Sequence, residues 1–310
     1  MKIADKKIVF EIGSKFLNTP NISVNFVGGG SANKNFSIKS KEKEIIIKIS
    51  LPHKEHRALE DYKKEKWCIQ KASKKGVSGP RVLGLGEFQG RAYMVQSFIP
   101  GINGKKLKNK LKVFYNLGKY AKLIHSIKTS GFGEKLSDPK GIFSGSWKKY
   151  LDYNIKSLSN GDKLIKLKVF DKHQAGKVKE IFQSMKRHRY TFGLNHGDLV
   201  AWNTLVEKSG KVRLLDWEYS EAHVVPHYDF INVLRLRYPR SKPKDEEINQ
   251  FIKGYGMSQK EFNLLKPEIY KLTLLICVDR LRYVIDRKSG PEKLKKYIRS
   301  VKKMLKINLI

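Results

Sequence analysis

A chain of 310 residues with 40% hydrophobic and 11% aromatic side chains can bury a sizeable core, as one large domain or two lobes, which excludes disorder as its default state. Its 64 Lys and Arg against 29 Asp and Glu give a formal charge of +35, a field that would attract nucleic acid, an anionic lipid surface or a phosphorylated substrate. Of those 64 bases 51 are Lys, spread through every region beside abundant Ile and Asn, which fits compositional drift better than the Arg forks that read phosphates and bases. The opening MKIADKKIVFEIG carries charges where a signal peptide needs an apolar run, and LTLLICV at 272–278 is bounded by Lys271 and Asp279. A soluble cytoplasmic protein without membrane insertion is expected. Cys68 and Cys277 sit far apart in helix-like contexts and read as buried thiols, not as a disulfide, a metal site or a nucleophile.

Along the chain, NISVNFVGG, NFSIKS and EIIIKIS read as three short strands with Gly or Lys turns between them. HRALEDYKKEKWCIQKAS follows as a helix with Leu59, Tyr62, Ile69 and Ala72 near one face. SGPRVLGLGEFQGRAYMVQSFIPG then supplies two more strands around a Gly-containing turn. From Gly104 the pattern turns helical, through KLKVFYNLGKYAKLIHSI, GSWKKYLDYNIKSL and KHQAGKVKEIFQSMKRHRY. One hairpin interrupts it, TLVE and VRLLDW around KSG, before HYDFINVLRLRY, EEINQFIKGYG, a long PEIYKLTLLICVDRLRYVIDR and PEKLKKYIRSVKKML. The expected organisation is α+β: a five-stranded N-terminal lobe with one helix over 1–97, then a mostly helical lobe over 98–310 carrying the hairpin. Ligands tend to bind in clefts between lobes.

The segment LNHGDLVAWNTLVEKSGKVRLLDWEYS concentrates acids in a chain that has few. Asp198 stands five residues before Asn203 and eighteen before Asp216, with the hairpin between the last two. The loop before a hairpin and the end of its second strand lie close in space, so three oxygen-bearing side chains can meet at one edge. Carboxylate and amide oxygens are hard donors suited to Mg²⁺, which retains waters and binds through one or two protein groups plus substrate phosphates. Asp198 would then be left to orient a hydroxyl and accept its proton, as in phosphoryl transfer.

HGDLVAWN followed by LLDWE resembles the aminoglycoside phosphotransferase and choline kinase family in motif, spacing and intervening hairpin. The resemblance covers about residues 24–235 and implies a protein-kinase-like bilobal fold, with a small β-rich N-lobe and a larger, mostly helical C-lobe. It implies ATP and Mg²⁺ as cofactors. Asp198 takes the place of the catalytic base, and Asn203 and Asp216 those of the metal ligands. VGGGSANKNFSI looks like the family's phosphate loop, with Gly29, Gly30 and Ser31 facing phosphate oxygens and Asn33 at the family's Asn. Lys48, the polar residue of IIIKI, takes the place of the phosphate-anchoring Lys, and Glu65 that of its partner, a role that Glu60 and Asp61 are near enough to dispute. YMVQSFIPG matches the segment whose backbone binds adenine, here Gln96, Ser97 and Phe98. In the same family the counterparts of His125 and His196 pack and support the catalytic loop, and that of Asp229 braces it. Glu218 stays open between a metal-shell acid and a solvated residue.

The implied function is ATP- and Mg²⁺-dependent phosphorylation of a hydroxyl on a small molecule. From Trp217 to the end there are 11 acids against 20 bases, a poor field for a cationic acceptor, so a sugar, an amino alcohol or a phosphorylated metabolite fits at least as well. The alternative is a nucleic-acid-associated or protein-phosphorylating protein on a kinase-like scaffold. No basic stretch is laced with the aromatics that stack bases, and DWEYSEAH stands where a protein kinase would carry DFG and APE.

Overall fold

A computed structural model describes residues 3–30, 32–52, 55–159, 161–237 and 243–309. It opens on a helix, α1 (Ile3–Leu17), followed by β1 (Ser23–Gly29), β2 (Asn33–Lys39), β3 (Glu44–Ser50), α2 (Glu55–Lys74), β4 (Val82–Phe88), β5 (Arg91–Ser97) and the two-residue β6 (Ile102–Asn103). β1 to β5 form one antiparallel sheet in the order β1-β2-β3-β5-β4. Gln89 and Gly90, both at positive φ (49° and 72°), make the two-residue turn whose twist suits the β4–β5 hairpin. β3 is buried on both faces. Ile45, Ile47 and Ile49 pack with Phe36, Ile38 and Val95 against Ile8, Val9 and Ile12 of α1, while Ala92 and Met94 meet Ala58 and Tyr62 of α2 on the other side.

The chain continues through α3 (Leu111–His125), β7 (Phe132–Asp138), β8 (Ile142–Gly145), α4 (Trp147–Ser157), α5 (Lys163–Lys166), α6 (Lys172–Arg187) and β9 (Phe192–Asn195). β10 (Thr204–Val206) and β11 (Val212–Leu214) are the expected hairpin, and β12 (Glu221–Val224), α7 (His227–Val233), α8 (Asp245–Tyr255), α9 (Gln259–Asp286) and α10 (Pro291–Leu309) complete the fold. Two compact units result, Met1–Leu107 with Trp202–Glu218, and Lys108–Ala201 with Tyr219–Ile310.

This division differs from a contiguous 1–97 and 98–310. The hairpin adds to β6 through Leu205–Asn103 and Val206–Ile102, and Leu214 N–H donates to Ser78 O at 2.8 Å. Those bonds make 98–107 and 202–218 part of the first unit. Two further features depart from the sequence expectation. The first unit has a second helix, α1, whose apolar residues are interleaved with Lys and Glu. The second unit contains a four-stranded sheet, β8-β7-β12-β9, where a mostly helical lobe with one hairpin was expected. Its strands are short, and β7 (FGEKLSD) offers too few apolar residues to show a two-residue period. α9 begins eight residues before Pro267, at a capping box of Ser258 and Glu261, so Pro267 lies inside the helix instead of opening it.

In the second unit α3 and α8 cross at two glycines. A methyl group on Gly118 would overlap the Phe251 carbonyl oxygen, and one on Gly254 that of Tyr115. Around the small sheet Phe132, Trp147, Tyr150 and His223 form an aromatic cluster, and His223 stacks on Tyr228 with ring centres 4.0 Å apart. No helix among the described residues is long and apolar enough to cross a membrane.

Gly118→Ala is expected to destabilise the protein by about 1–3 kcal/mol, since the opposing atom is backbone and cannot step aside, as read from the urea midpoint. Burial, with Arg237 nearby, holds His223 well below its ordinary pKa, and burial lowers His227 to about 4. Between roughly pH 6.5 and 4 the unfolded chain therefore binds protons that these rings refuse, and stability should fall as pH falls through that window. A midpoint unchanged from pH 7 to pH 5 would contradict this.

Candidate active site

The β2–β3–β5 register aligns Lys48 with Asn35 and Met94, on the sheet face that α2 covers. Lys48 is 4% exposed and Glu65, on α2, 2%. Their ion pair is bidentate, with Nζ 3.0 and 2.9 Å from Glu65 Oε1 and Oε2, and Asp216 Oδ1 lies 3.4 Å from the same nitrogen. The Tyr62 ring centre is 5.8 Å away. Burial by itself would pull the Lys48 pKa down, but the carboxylates of Glu65 and Asp216 outweigh it and hold the ammonium charged, above the usual lysine range. Helical phase settles which acid pairs with Lys48. Glu60 and Asp61 face solvent and pair with Lys63 and Arg57 at 2.7 and 3.7 Å.

Asp216 follows β11 in the left-handed region at φ 60°, an uncommon conformation for a residue with a side chain, and its side chain is 43% exposed. Leu215 N–H donates to Asn203 O at 2.8 Å, so the residue before Asp216 is bonded to the buried Asn203 across the hairpin base. Glu218 is half-buried and held in place rather than solvated. Its Oε2 accepts from Asn33 Nδ2 at 2.9 Å and its carbonyl from Lys64 Nζ at 2.8 Å. Burial raises its pKa, and Asp216 and Glu65 push the same way against Lys48 and Asn33. Lys64 and Tyr62 were not legible as site residues, because KKEK reads as a solvated run until helical phase buries Lys64 beside Glu65.

At the β1–β2 turn Gly30 N–H donates to Asn33 O at 3.0 Å. A methyl group on Gly29 would stand 2.9 Å from that oxygen, whereas one on Gly30 would meet open space. Ser31 lies outside the described residues. Gln96 pairs with Ile46 and Val82 inside the sheet. The Ser97 amide donates to Arg81 O at 2.9 Å, and Phe98, just past β5, is exposed.

Asp198 belongs to the second unit, on the loop after β9, and that loop is held by a buried carboxylate. Asp229, wholly inaccessible, accepts from His196 N–H at 2.9 Å and Gly197 N–H at 2.8 Å. His125 links Asp229 (3.1 Å from Nε2) to the Tyr255 hydroxyl (3.1 Å from Nδ1), which is more than packing. Burial works against the Asp229 anion, yet His125, His196 and the loop amides hold its pKa below the usual carboxylate value. The Asp198 amide donates to His196 Nδ1 at 3.3 Å, which places the ring proton on Nε2. Gly197, at φ 79°, packs so closely on the Tyr219 carbonyl oxygen that a methyl group would overlap it.

The chain matches the profile of the phosphotransferase enzyme family over residues 23–267. Among solved structures it is similar to aminoglycoside phosphotransferase APH(4)-Ia, a thermostable mutant of which, in ternary complex with AMP-PNP and hygromycin B, aligns over 98% of both chains at 16% identity and a TM-score of 0.69. Choline kinase LicA from Streptococcus pneumoniae aligns over 98% of this chain and 99% of its own (19% identity, TM-score 0.63). A fructosamine-3-kinase from Haemophilus somnus aligns over 98% and 97% (12% identity, TM-score 0.61). These likenesses establish the α+β, protein-kinase-like fold. No curated protein sequence matches the chain.

Glu65→Gln keeps the shape of the side chain and removes the charge that compensates Lys48. It should cost about 3 kcal/mol of stability, measured by urea unfolding, and a loss below about 0.5 kcal/mol would show that Asp216 alone suffices.

Proposed function

Because the chain belongs to the phosphotransferase enzyme family, we propose that it transfers the γ-phosphoryl group of ATP, with Mg²⁺, to a hydroxyl group of a small molecule. The observation that carries this reading is the buried Lys48–Glu65 pair with Asp216 beside it. A charged amine fixed next to a partly exposed carboxylate is the arrangement that receives phosphate oxygens and a hard cation together. The complexes of the similar enzymes support ATP as donor: one holds AMP-PNP with hygromycin B, another ADP with spectinomycin.

In this reading Lys48 contacts the nucleotide phosphates and Glu65 prevents it from swinging away. The β1–β2 turn with Gly29 and Gly30 covers the phosphates, and backbone groups of Gln96, Ser97 and Phe98 take the adenine. The Ser97 amide already donates to Arg81 O at 2.9 Å.

The donor set suits Mg²⁺. Asp216 and Asn203 would offer a partial oxygen shell, which substrate phosphates and waters complete. Bound there, Mg²⁺ would offset the negative charge that develops on the phosphate oxygens. Asp198 orients the acceptor hydroxyl and takes its proton as the phosphoryl group moves. The Asp229–His125–Tyr255 chain and the His196 ring hold the Asp198 loop in one geometry, which positional catalysis requires.

ATP at 100 times its dissociation constant should stabilise the protein by about 2.7 kcal/mol, visible as a thermal shift that needs Mg²⁺ and disappears in Asp216→Ala. Asp198→Ala should retain the shift and lower turnover, read as ADP release with a hydroxyl acceptor, by roughly 10²- to 10⁴-fold. No shift with ATP in the wild-type chain would remove the basis of the proposal.

A further inference from the structure

Away from the residues described above, the second unit holds a cavity of about 860 Å³ between the α5–α6 connection and the end of α10. Its apolar lining comes from Ile165, Val169, Phe170, Leu305 and Leu309, of which Val169, Phe170 and Leu305 are buried. The ammonium-bearing residues Lys168, Lys172, Lys302 and Lys306 complete the wall, all four of them exposed. Lysine is thus four of the eleven lining residues. A single acid, Asp171, lines the cavity, and its carboxylate is tied to its own helix, accepting from Gln174 N–H at 2.7 Å in a capping box.

Local backbone geometry builds this wall. α5 lasts one turn and ends with Lys168 in the left-handed region at φ 52°. Val169 N–H returns to Leu164 O at 2.9 Å, which reverses the chain and sets Val169 and Phe170 inward before α6 starts. On α10, Lys302, Leu305, Lys306 and Leu309 follow the three- and four-residue spacing of one helix face, so bases and apolar groups alternate along the same wall. The volume falls in the range of small-molecule sites, and an apolar floor with a cationic rim complements an anion that carries an apolar chain.

We infer that this cavity binds an anionic amphiphile, a single apolar chain ending in a carboxylate or phosphate, with the chain on the Val169–Phe170–Leu305 floor and the head among the four lysines. The inference is independent of the phosphotransferase reading, since none of the lining residues takes part in it.

Titration calorimetry with dodecyl phosphate and with dodecanoate, each below its aggregation concentration, tests the site and distinguishes the two head groups. Saturable binding of at least one is expected, weakening as salt rises. The doubly reversed Lys302→Glu/Lys306→Glu protein should bind at least about tenfold more weakly, while Lys105→Glu/Lys106→Glu, the same charge change on exposed residues of the other unit, should bind as the wild type does. Neutral dodecyl maltoside should bind far more weakly, and inorganic phosphate should not compete at equal concentration. Equal loss of affinity in both double variants would make the binding a general effect of the +35 charge and overturn the proposal. So would equal binding of the maltoside, full competition by inorganic phosphate, or no binding by either anionic probe.

Discussion

An ammonium group with almost no access to water is the constraint from which the first unit is organised. Taking Lys48 out of water costs several kcal/mol unless opposite charge stands at contact distance, and Glu65 and Asp216 both stand there. Each needs its own support. Glu65 reaches Lys48 only while α2 lies across the sheet, which the packing of Ala58 and Tyr62 on Ala92 and Met94 secures. Asp216 reaches it only while the β10–β11 hairpin is joined to β6 and to the loop at Ser78. α1 closes the opposite sheet face, which lets β3 be a central strand with Lys48 directed at its two acidic partners. The same ion pair that demands this packing fixes the amine within reach of an anionic ligand.

The second unit applies the same physics with the opposite sign. Asp229 is a carboxylate without solvent, and the donors that compensate it are two successive backbone N–H groups of the Asp198 loop and the His125 ring. An anion in such a place is tolerated only while every one of its bonds is made. The loop amides are therefore held as firmly as the charge is costly to expose. Gly197 shows how tight the fit is, for its positive φ and its contact with the Tyr219 carbonyl leave no room for a side chain. Rigidity at Asp198 thus arises from the bonds that the distant Asp229 makes to the two residues before it, together with the burial of Leu199 and Val200 just after it.

How much of this was legible follows from which signals are local. HGDLVAWN and LLDWE carry their spacing in a single short segment, and Lys48 stands out because its neighbours are all Ile. The β4–β5 turn and the hairpin were readable for the same reason. α1 was not, because Lys and Glu interrupt its apolar face in a chain where Lys occurs everywhere, and its partner surface lies on strands that come later. β7, β8, β9 and β12 are four to seven residues long and acquire their pairing from distant segments. The assignment of 202–218 to the first unit depends on β6, two residues whose strand character exists only through β10. Glu218 and Lys64 needed tertiary contacts, since neither an acid after a strand nor a lysine in KKEK announces burial.

The distribution of charge bears on why the chain carries so much of it. Its acids are few, and several sit where loss would strand a buried partner: Glu65 with Lys48, Asp229 with His125, Asp5 with Arg91 at 3.1 Å and Asp162 with Arg282 at 2.6 Å. Breaking such a pair costs several kcal/mol, whereas an exchange at an exposed position away from such features stays within about 0.5 kcal/mol. A drift toward Lys would therefore run freely over solvent faces and stop at these acids. Compositional pressure acting on a fixed electrostatic frame accounts for both the +35 charge and the intact carboxylates, without requiring a polyanionic partner for the whole surface. Where lysines gather against an apolar floor, as they do at the end of α10, drift alone does not account for the apolar half of the arrangement.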